Sequence, residues 1–198
     1  MSSRYKTMIS CGALAFVATV YGVSAEPQVA KNLLTNSSFE TASEEHDQAS
    51  GWSRWGPWIN REDSWAPTHE GKALIGYHHW QVESADDSGL WQDVTVTPGQ
   101  TYQFTLFANR DDPGTGHGAE SIELRLEASA NDHQTTINTT TVKVADLAVG
   151  EKWSTLTVKG KATGTTLRVL IRVVPAKDGP RGGALKCDDA TLVEIRPS

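Results

Sequence analysis

Between Thr101 and Ala108 the chain alternates strictly, with Tyr102, Phe104, Leu106 and Ala108 on one side of an extended segment and Gln103, Thr105 and Phe107 on the other. Successive side chains of a strand point to opposite faces, so a pattern of period two can bury one face and wet the other. The same alternation recurs at 90–96, 122–128, 139–144, 153–158, 166–174 and 185–195, in each case bounded by Gly, Pro, Asn or Asp. Few stretches have helical period, so the expectation is an all-β chain. Short strands at this spacing predict a two-sheet antiparallel sandwich of the jelly-roll type. Thr97-Pro98-Gly99-Gln100 has the Pro-Gly of a tight turn and predicts either a hairpin or a corner between sheets. The polar stretches 110–120 and 175–183 read as long loops, where binding is commonly placed on a rigid scaffold.

The first 25 residues stand apart from this pattern. Arg4 and Lys6 precede an apolar run from Met8 to Val23, which ends in Val23-Ser24-Ala25 with small residues at the positions a signal peptidase reads. This is the pattern of a signal peptide cleaved near Ala25, and it implies a secreted protein, extracellular or periplasmic. Cys11 precedes most of the apolar run, whereas a lipid-bearing cysteine should follow it. Residues 26–198 then form one domain, too short for two comfortable cores. No later stretch approaches the ~20 apolar residues of a membrane span.

Two of the eighteen basic residues and none of the twenty-four acidic ones lie in the leader, leaving a mature net charge of −8. That balance disfavours nucleic acid and anionic membranes as partners. Cys187 is the one cysteine after cleavage. It reads as a buried strand residue, and no intrachain disulfide is available.

Four segments carry a resemblance. They are Asn32-Leu33-Leu34-Thr35-Asn36-Ser37-Ser38-Phe39-Glu40; Gly71-Lys72-Ala73-Leu74; Gly89-Leu90-Trp91-Gln92-Asp93-Val94 through Pro98-Gly99-Gln100-Thr101-Tyr102; and Asp188-Asp189-Ala190-Thr191-Leu192. In this order the chain resembles carbohydrate-binding modules of the family 4, 9 and 22 type, among the galactose-binding-like jelly rolls. The resemblance implies a non-catalytic domain that holds a polysaccharide or oligosaccharide. It also implies a structural Ca2+ held by Glu40, Asp188 and the Lys72 carbonyl. Calcium takes six to eight oxygens, so two carboxylates from opposite ends of the chain would pin both termini. Along its strand Asp188 shares the parity of Ala190 and Leu192 and is expected to point inward, where a bare carboxylate is costly. Hydrogen bonding from backbone amides, or pairing with a Lys, is the alternative that would satisfy it.

Sugars present C–H faces edged by hydroxyls and are met by flat rings with planar polar side chains around them. Of seven Trp, Trp52 and Trp153 are assigned to the core, while the cluster Trp55, Trp58 and Trp65 lies among Gly, Pro and polar residues. The expected platform is Trp58, Trp65, Trp80, Trp91 and Phe107, with Arg110, Asn60 and Gln103 as hydrogen-bonding groups. The alternative is that several of these rings pack beneath the long loops as a satellite core. The negative charge favours a neutral glycan, and any catalytic partner is expected to be a separately encoded enzyme.

Enzyme chemistry finds little support. Asp86-Asp87 and Asp111-Asp112 read as turn residues rather than a glycosidase pair. There is no Gly-x-Ser-x-Gly, His-Glu-x-x-His or phosphate loop. His78 and His79 point to opposite faces if they lie on a strand, so they do not share an ion. A polysaccharide lyase would require Tyr77, His79 and Arg110 to meet in one groove. A protein-binding or adhesion domain is the remaining class, and a broad apolar patch would mark it. Asn36-Ser37-Ser38 and Asn138-Thr139-Thr140 match glycosylation acceptors, which matter in a eukaryotic host.

Overall fold

Ten strands form in the computed structural model, which describes residues 30–45, 47–78, 87–110, 118–130, 133–176 and 184–195. They are β1 (Ser53–Trp55), β2 (Ile59–Glu62), β3 (Leu74–Tyr77), β4 (Ser88–Thr95), β5 (Thr101–Arg110), β6 (Ala119–Ala130), β7 (His133–Lys143), β8 (Ser154–Lys161), β9 (Thr166–Pro175) and β10 (Leu185–Ile195). The first sheet has the order β1-β4-β9-β6-β7 and the second β2-β3-β10-β5-β8. All strand pairs are antiparallel. The two sheets make the expected jelly-roll sandwich, and a single 3-10 turn at Val144–Asp146 is the helical element among the described residues.

The alternation seen in the sequence fills the core. Tyr102, Phe104, Leu106 and Ala108 of β5 meet Ile122, Leu124 and Leu126 of β6 and Leu167, Val169, Ile171 and Val173 of β9 in one buried cluster. Trp52 lies there too, tilted against Phe39 at 5.2 Å, as expected of it. Cys187 is buried in the same cluster; burial, with the charge of Asp188 adding to it, pushes its thiol up and leaves it inert.

The Pro98-Gly99 turn is a corner between sheets, since β4 belongs to the first and β5 to the second. Gly99 takes φ 83°, the left-handed conformation that the third position of a type II turn demands. The Gln100 amide donates to the Thr97 carbonyl at 3.3 Å, and the Thr97 amide to the Tyr102 hydroxyl at 2.9 Å. The segment 32–38 runs along β10. Leu33 donates to the Leu192 carbonyl, Ala190 to the Ser37 carbonyl, and the Asn32 side chain bonds both Ala190 and Leu192. The first and last of the four motif segments are therefore neighbours in space. Between the sheets, Asn138 and Thr140 of β7 donate side-chain hydrogen bonds to the Lys159 and Thr157 carbonyls of β8. That contact covers an edge that would otherwise invite another strand.

Asp188 departs from expectation. A bulge between Asp188 and Thr191, with Asp189 at φ 45°, shifts the parity of β10 by one residue. Asp188 consequently stands opposite Phe107, on the outer side of the second sheet, rather than with Leu192 in the core. It is nonetheless fully buried, because the loop 63–72 lies over it.

Candidate functional site

The strand register arranges the outer face of the first sheet into three cross-strand rows. One runs Trp55, Gly89, Arg172, Glu123, Thr141; the next Ser53, Trp91, Leu170, Arg125, Thr139; the third Asp93, Arg168, Glu127, Thr136. Five strands at about 4.8 Å spacing make this face roughly 19 Å wide. Trp55 and Trp91 are half-buried and touch, with ring centroids 5.8 Å apart. Trp55 fits because Gly89 lies beneath it: a Cβ there would come within 2.0 Å of the indole and 2.4 Å of the Ile171 carbonyl. Arg168 spreads over Trp91 at 5.2 Å and is held in a fork by Asp93, with bonds of 2.7 and 2.8 Å. Such a cation over an indole, locked by a bidentate carboxylate, fixes the ring as well as the charge.

Every guanidinium in these rows is bonded to a carboxylate. Arg172 bonds Asp87 and, at 3.1 Å, Glu123; Arg125 bonds Glu123 and approaches Glu127 at 3.8 Å. Burial raises the Asp87 carboxyl, but the hydrogen bond and charge of Arg172, with the Trp55 Nε1–H, more than offset it and hold the group below its ordinary value. The hydrogen bonds that Arg168 donates to Asp93 hold its guanidinium above its ordinary value, against the opposing effect of burial. The face thus joins two flat rings to planar, fixed, hydrogen-bonding groups and the hydroxyls of a Thr-rich strand.

The outer face of the second sheet is different, because the protein covers it with its own loop. Trp65 lies on Gly76, stacks with His78 at 4.1 Å and faces the Lys186 ammonium at 4.6 Å. Lys186, 2% exposed, donates to the Ala66 carbonyl at 2.8 Å. His69 stacks on Phe107 at 3.8 Å, with Trp153 edge-on at 5.6 Å. Trp153 is therefore half-buried on this side and not in the core as expected. Asp188 accepts hydrogen bonds from the amides of His69, Glu70 and Asp189; burial, then the charge of Asp189, raises its carboxyl to about 7 against the effect of these bonds.

The eight expected ligand-binding residues therefore do not form one platform. Trp91 is on the first-sheet face. Phe107, Trp65 and Gln103 belong to the second, where Gln103 bonds Thr105 at 3.2 Å. Trp58 packs against the core, Asn60 accepts a hydrogen bond from Arg54, and Arg110 braces the Leu147 carbonyl at 3.3 Å. Trp80 lies outside the described residues, as does His79. Tyr77 is 1% exposed within the core, so the groove expected of a lyase does not form around it. Trp55, Asp93, Arg168 and Arg172 were missing from the expected set. A signal for the two arginines is present in 166–174, where Arg168 and Arg172 share a parity opposite to Leu167, Val169 and Ile171.

Of the expected calcium ligands, Glu40 accepts from the amides of Lys72 at 2.8 Å and Ala73 at 3.0 Å. Glu40 and Asp188 thus grip the two ends of one short loop, 69–73.

No protein-family model matches the chain, and no curated protein does. Solved structures do match. TmCBM61 in complex with β-1,4-galactotriose is 17% identical with a TM-score of 0.54, over 83% of this chain and 99% of that one. The CBM22-1 xylan-binding domain from Paenibacillus barcinonensis Xyn10C is 14% identical with a TM-score of 0.55, over 87% and 100%. The Stig cyclase Fisc from Fischerella sp. TAU, in complex with (3Z)-3-(1-methyl-2-pyrrolidinylidene)-3H-indole, is 15% identical with a TM-score of 0.58, over 86% and 100%. One architecture therefore serves both binding modules and enzymes, and function must be argued from the site. The chain has the jelly-roll fold of solved carbohydrate-binding modules.

Proposed function

We propose that this protein is a secreted, non-catalytic carbohydrate-binding module that holds a neutral polysaccharide or oligosaccharide on the outer face of its first sheet. The observation that carries the reading is the Trp55–Trp91 pair, fixed by Gly89 and Arg168 within rows of Arg–carboxylate pairs. Rings cover the C–H faces of sugars, and the paired side chains keep lone pairs and N–H groups for hydroxyls. Because each guanidinium on the face already has a carboxylate, an anionic polymer gains little there. A protein partner is disfavoured by the lack of apolar surface: among the described residues Val149 is the one large hydrophobic side chain that stands exposed. A hydrolase acting on this face would need a carboxyl kept protonated there, whereas Asp87 is held below its ordinary value. Its catalytic partner would be a separate enzyme acting on the same glycan.

Calorimetric titration of the mature protein with neutral and uronate oligosaccharides tests this reading. Heat with a neutral glycan supports it, and heat with uronates alone overturns the neutral assignment. The pH profile adds a second check. Asp87 has a depressed carboxyl, so its pairing is complete above the ordinary value near 4 and lost as pH falls below it. Affinity should be flat from about pH 5 to 8 and weaken below about pH 4. A midpoint near neutrality would contradict the assignment.

Calcium belongs to the same proposal, with the carboxylates of Glu40 and Asp188 and the Lys72 carbonyl holding the loop 69–73 to β10. Calcium at about a hundred times its dissociation constant adds about 2.7 kcal/mol. For a domain of this size that raises the unfolding midpoint by roughly 5–10 °C. The gain should vanish in Glu40→Gln, and equal gains in both proteins would refute the ligand set.

A further inference from the structure

We infer that His69, Glu70 and Asp189 form a second metal site, one that takes a borderline transition-metal dication such as Zn2+ or Co2+. It goes beyond the carbohydrate reading and shares no ligand with the calcium set, although Asp188 of that set positions its loop. His69 and Glu70 lie in the loop before β3, and Asp189 lies 120 residues away in β10. Three contacts bring them together. The buried Asp188 carboxylate accepts the His69 amide at 2.8 Å and the Glu70 amide at 3.4 Å, which fixes the loop backbone. Phe107 holds the His69 ring at 3.8 Å and 16°, which fixes its plane. The bulge at Asp189 turns that side chain out of the strand alternation, and its Oδ2 meets His69 Nδ1 at 2.6 Å.

One ligand atom from each of the three residues lies within 4.8 Å of the others. A tetrahedral ion about 2.0–2.2 Å from each would set the ligand atoms about 3.3–3.6 Å apart, so the exposed Glu70 side chain closes in by roughly 1 Å or more and the His69–Asp189 pair opens by a little under 1 Å. The ion would replace the hydrogen bond between His69 Nδ1 and Asp189 Oδ2. A neutral imidazole with two carboxylates balances a dication, and the remaining position is left to water. The His69 and Asp189 side chains are 24% and 17% exposed, which leaves an entry path. Imidazole nitrogen distinguishes this set from the all-oxygen calcium set, because it favours Zn2+, Co2+ or Ni2+ over Ca2+ and Mg2+. The site lies on the second sheet, across the sandwich from Trp91, so metal and sugar should bind independently.

The test is titration of the tag-free, calcium-loaded protein with CoCl2 and ZnCl2, read by calorimetry and by the visible absorption of bound Co2+. The variants His69→Gln and Glu70→Gln are run beside it, with His133→Gln on the exposed edge strand β7 of the other sheet as the control. One equivalent should bind, with affinity reduced at least about tenfold in His69→Gln and Glu70→Gln and unchanged in His133→Gln. Glu70 is exposed, so its variant keeps the test valid if replacing His69 disturbs folding. Absence of Co2+ or Zn2+ binding by the wild type overturns the site. So does equal binding by both ligand variants, which would assign the metal to other histidines such as His46, His79 or His117.

Discussion

Replacing Trp91 by Ala should weaken glycan binding by about 2 kcal/mol or more, the cost typical of a central aromatic anchor, which is roughly thirtyfold or beyond. The ring is half-buried, with Arg168 over it and Trp55 beside it. Its removal deletes the middle of the apolar strip and releases Trp55 from its neighbour. The fold should survive, since Trp91 points away from the core and Arg168 keeps its fork with Asp93. Phe107→Ala is the matched control. It removes a ring of similar character from the opposite outer face, where His69 already covers it. Stability should fall there while glycan affinity holds. Trp91→Ala binding as tightly as the wild type would remove the first-sheet face from consideration.

Gln92→Leu should be the most damaging substitution next to that ring, and it should act on stability alone. Gln92 is 6% exposed and faces inward from β4. Its Oε1 accepts from the Thr35 amide at 2.8 Å, and its Nε2 donates to the carbonyls of Thr35 at 3.0 Å and Gly51 at 2.9 Å. A Leu of similar volume leaves three backbone groups without those partners. Buried groups so orphaned cost about 1–3 kcal/mol each. Partial access of water to Thr35 limits the total to about 2–4 kcal/mol, or roughly 5–15 °C in the unfolding midpoint. Denaturant unfolding measures this, and a loss below about 1 kcal/mol would show that the segment 32–38 is not pinned through Gln92. Glycan affinity measured on the folded fraction should not change.

Much of the sandwich could be read from alternation, because β4 to β6 and β8 to β10 are long enough to show period two. β1 and β2 have three and four residues and lie among Gly, Pro and Trp, so no period marks them. The division of the aromatic residues has a deeper cause. Alternation states whether a side chain points into the core or out of it, but a sandwich has two outsides. Trp91 and Phe107 obey the same outward rule on strands that the Pro98-Gly99 corner sends into different sheets, and their local patterns are alike. Asp188 was misread for a different reason. A single left-handed residue, Asp189, inverts parity, and Asp at that position looks like any other strand residue. Arg168 and Arg172 were legible as an outward pair, yet their meaning depends on Trp55 and Trp91 arriving from β1 and β4.

The most direct test of the central claim is to titrate the isotopically labelled mature protein with neutral β-linked oligosaccharides and map the backbone amide shifts onto the two outer faces. Shifts centred on Trp55, Trp91, Arg168 and Glu123, together with the indole N–H signals of the two Trp, are the predicted result. Shifts confined to Phe107, His69 and β10, or no shifts with any glycan, would contradict it.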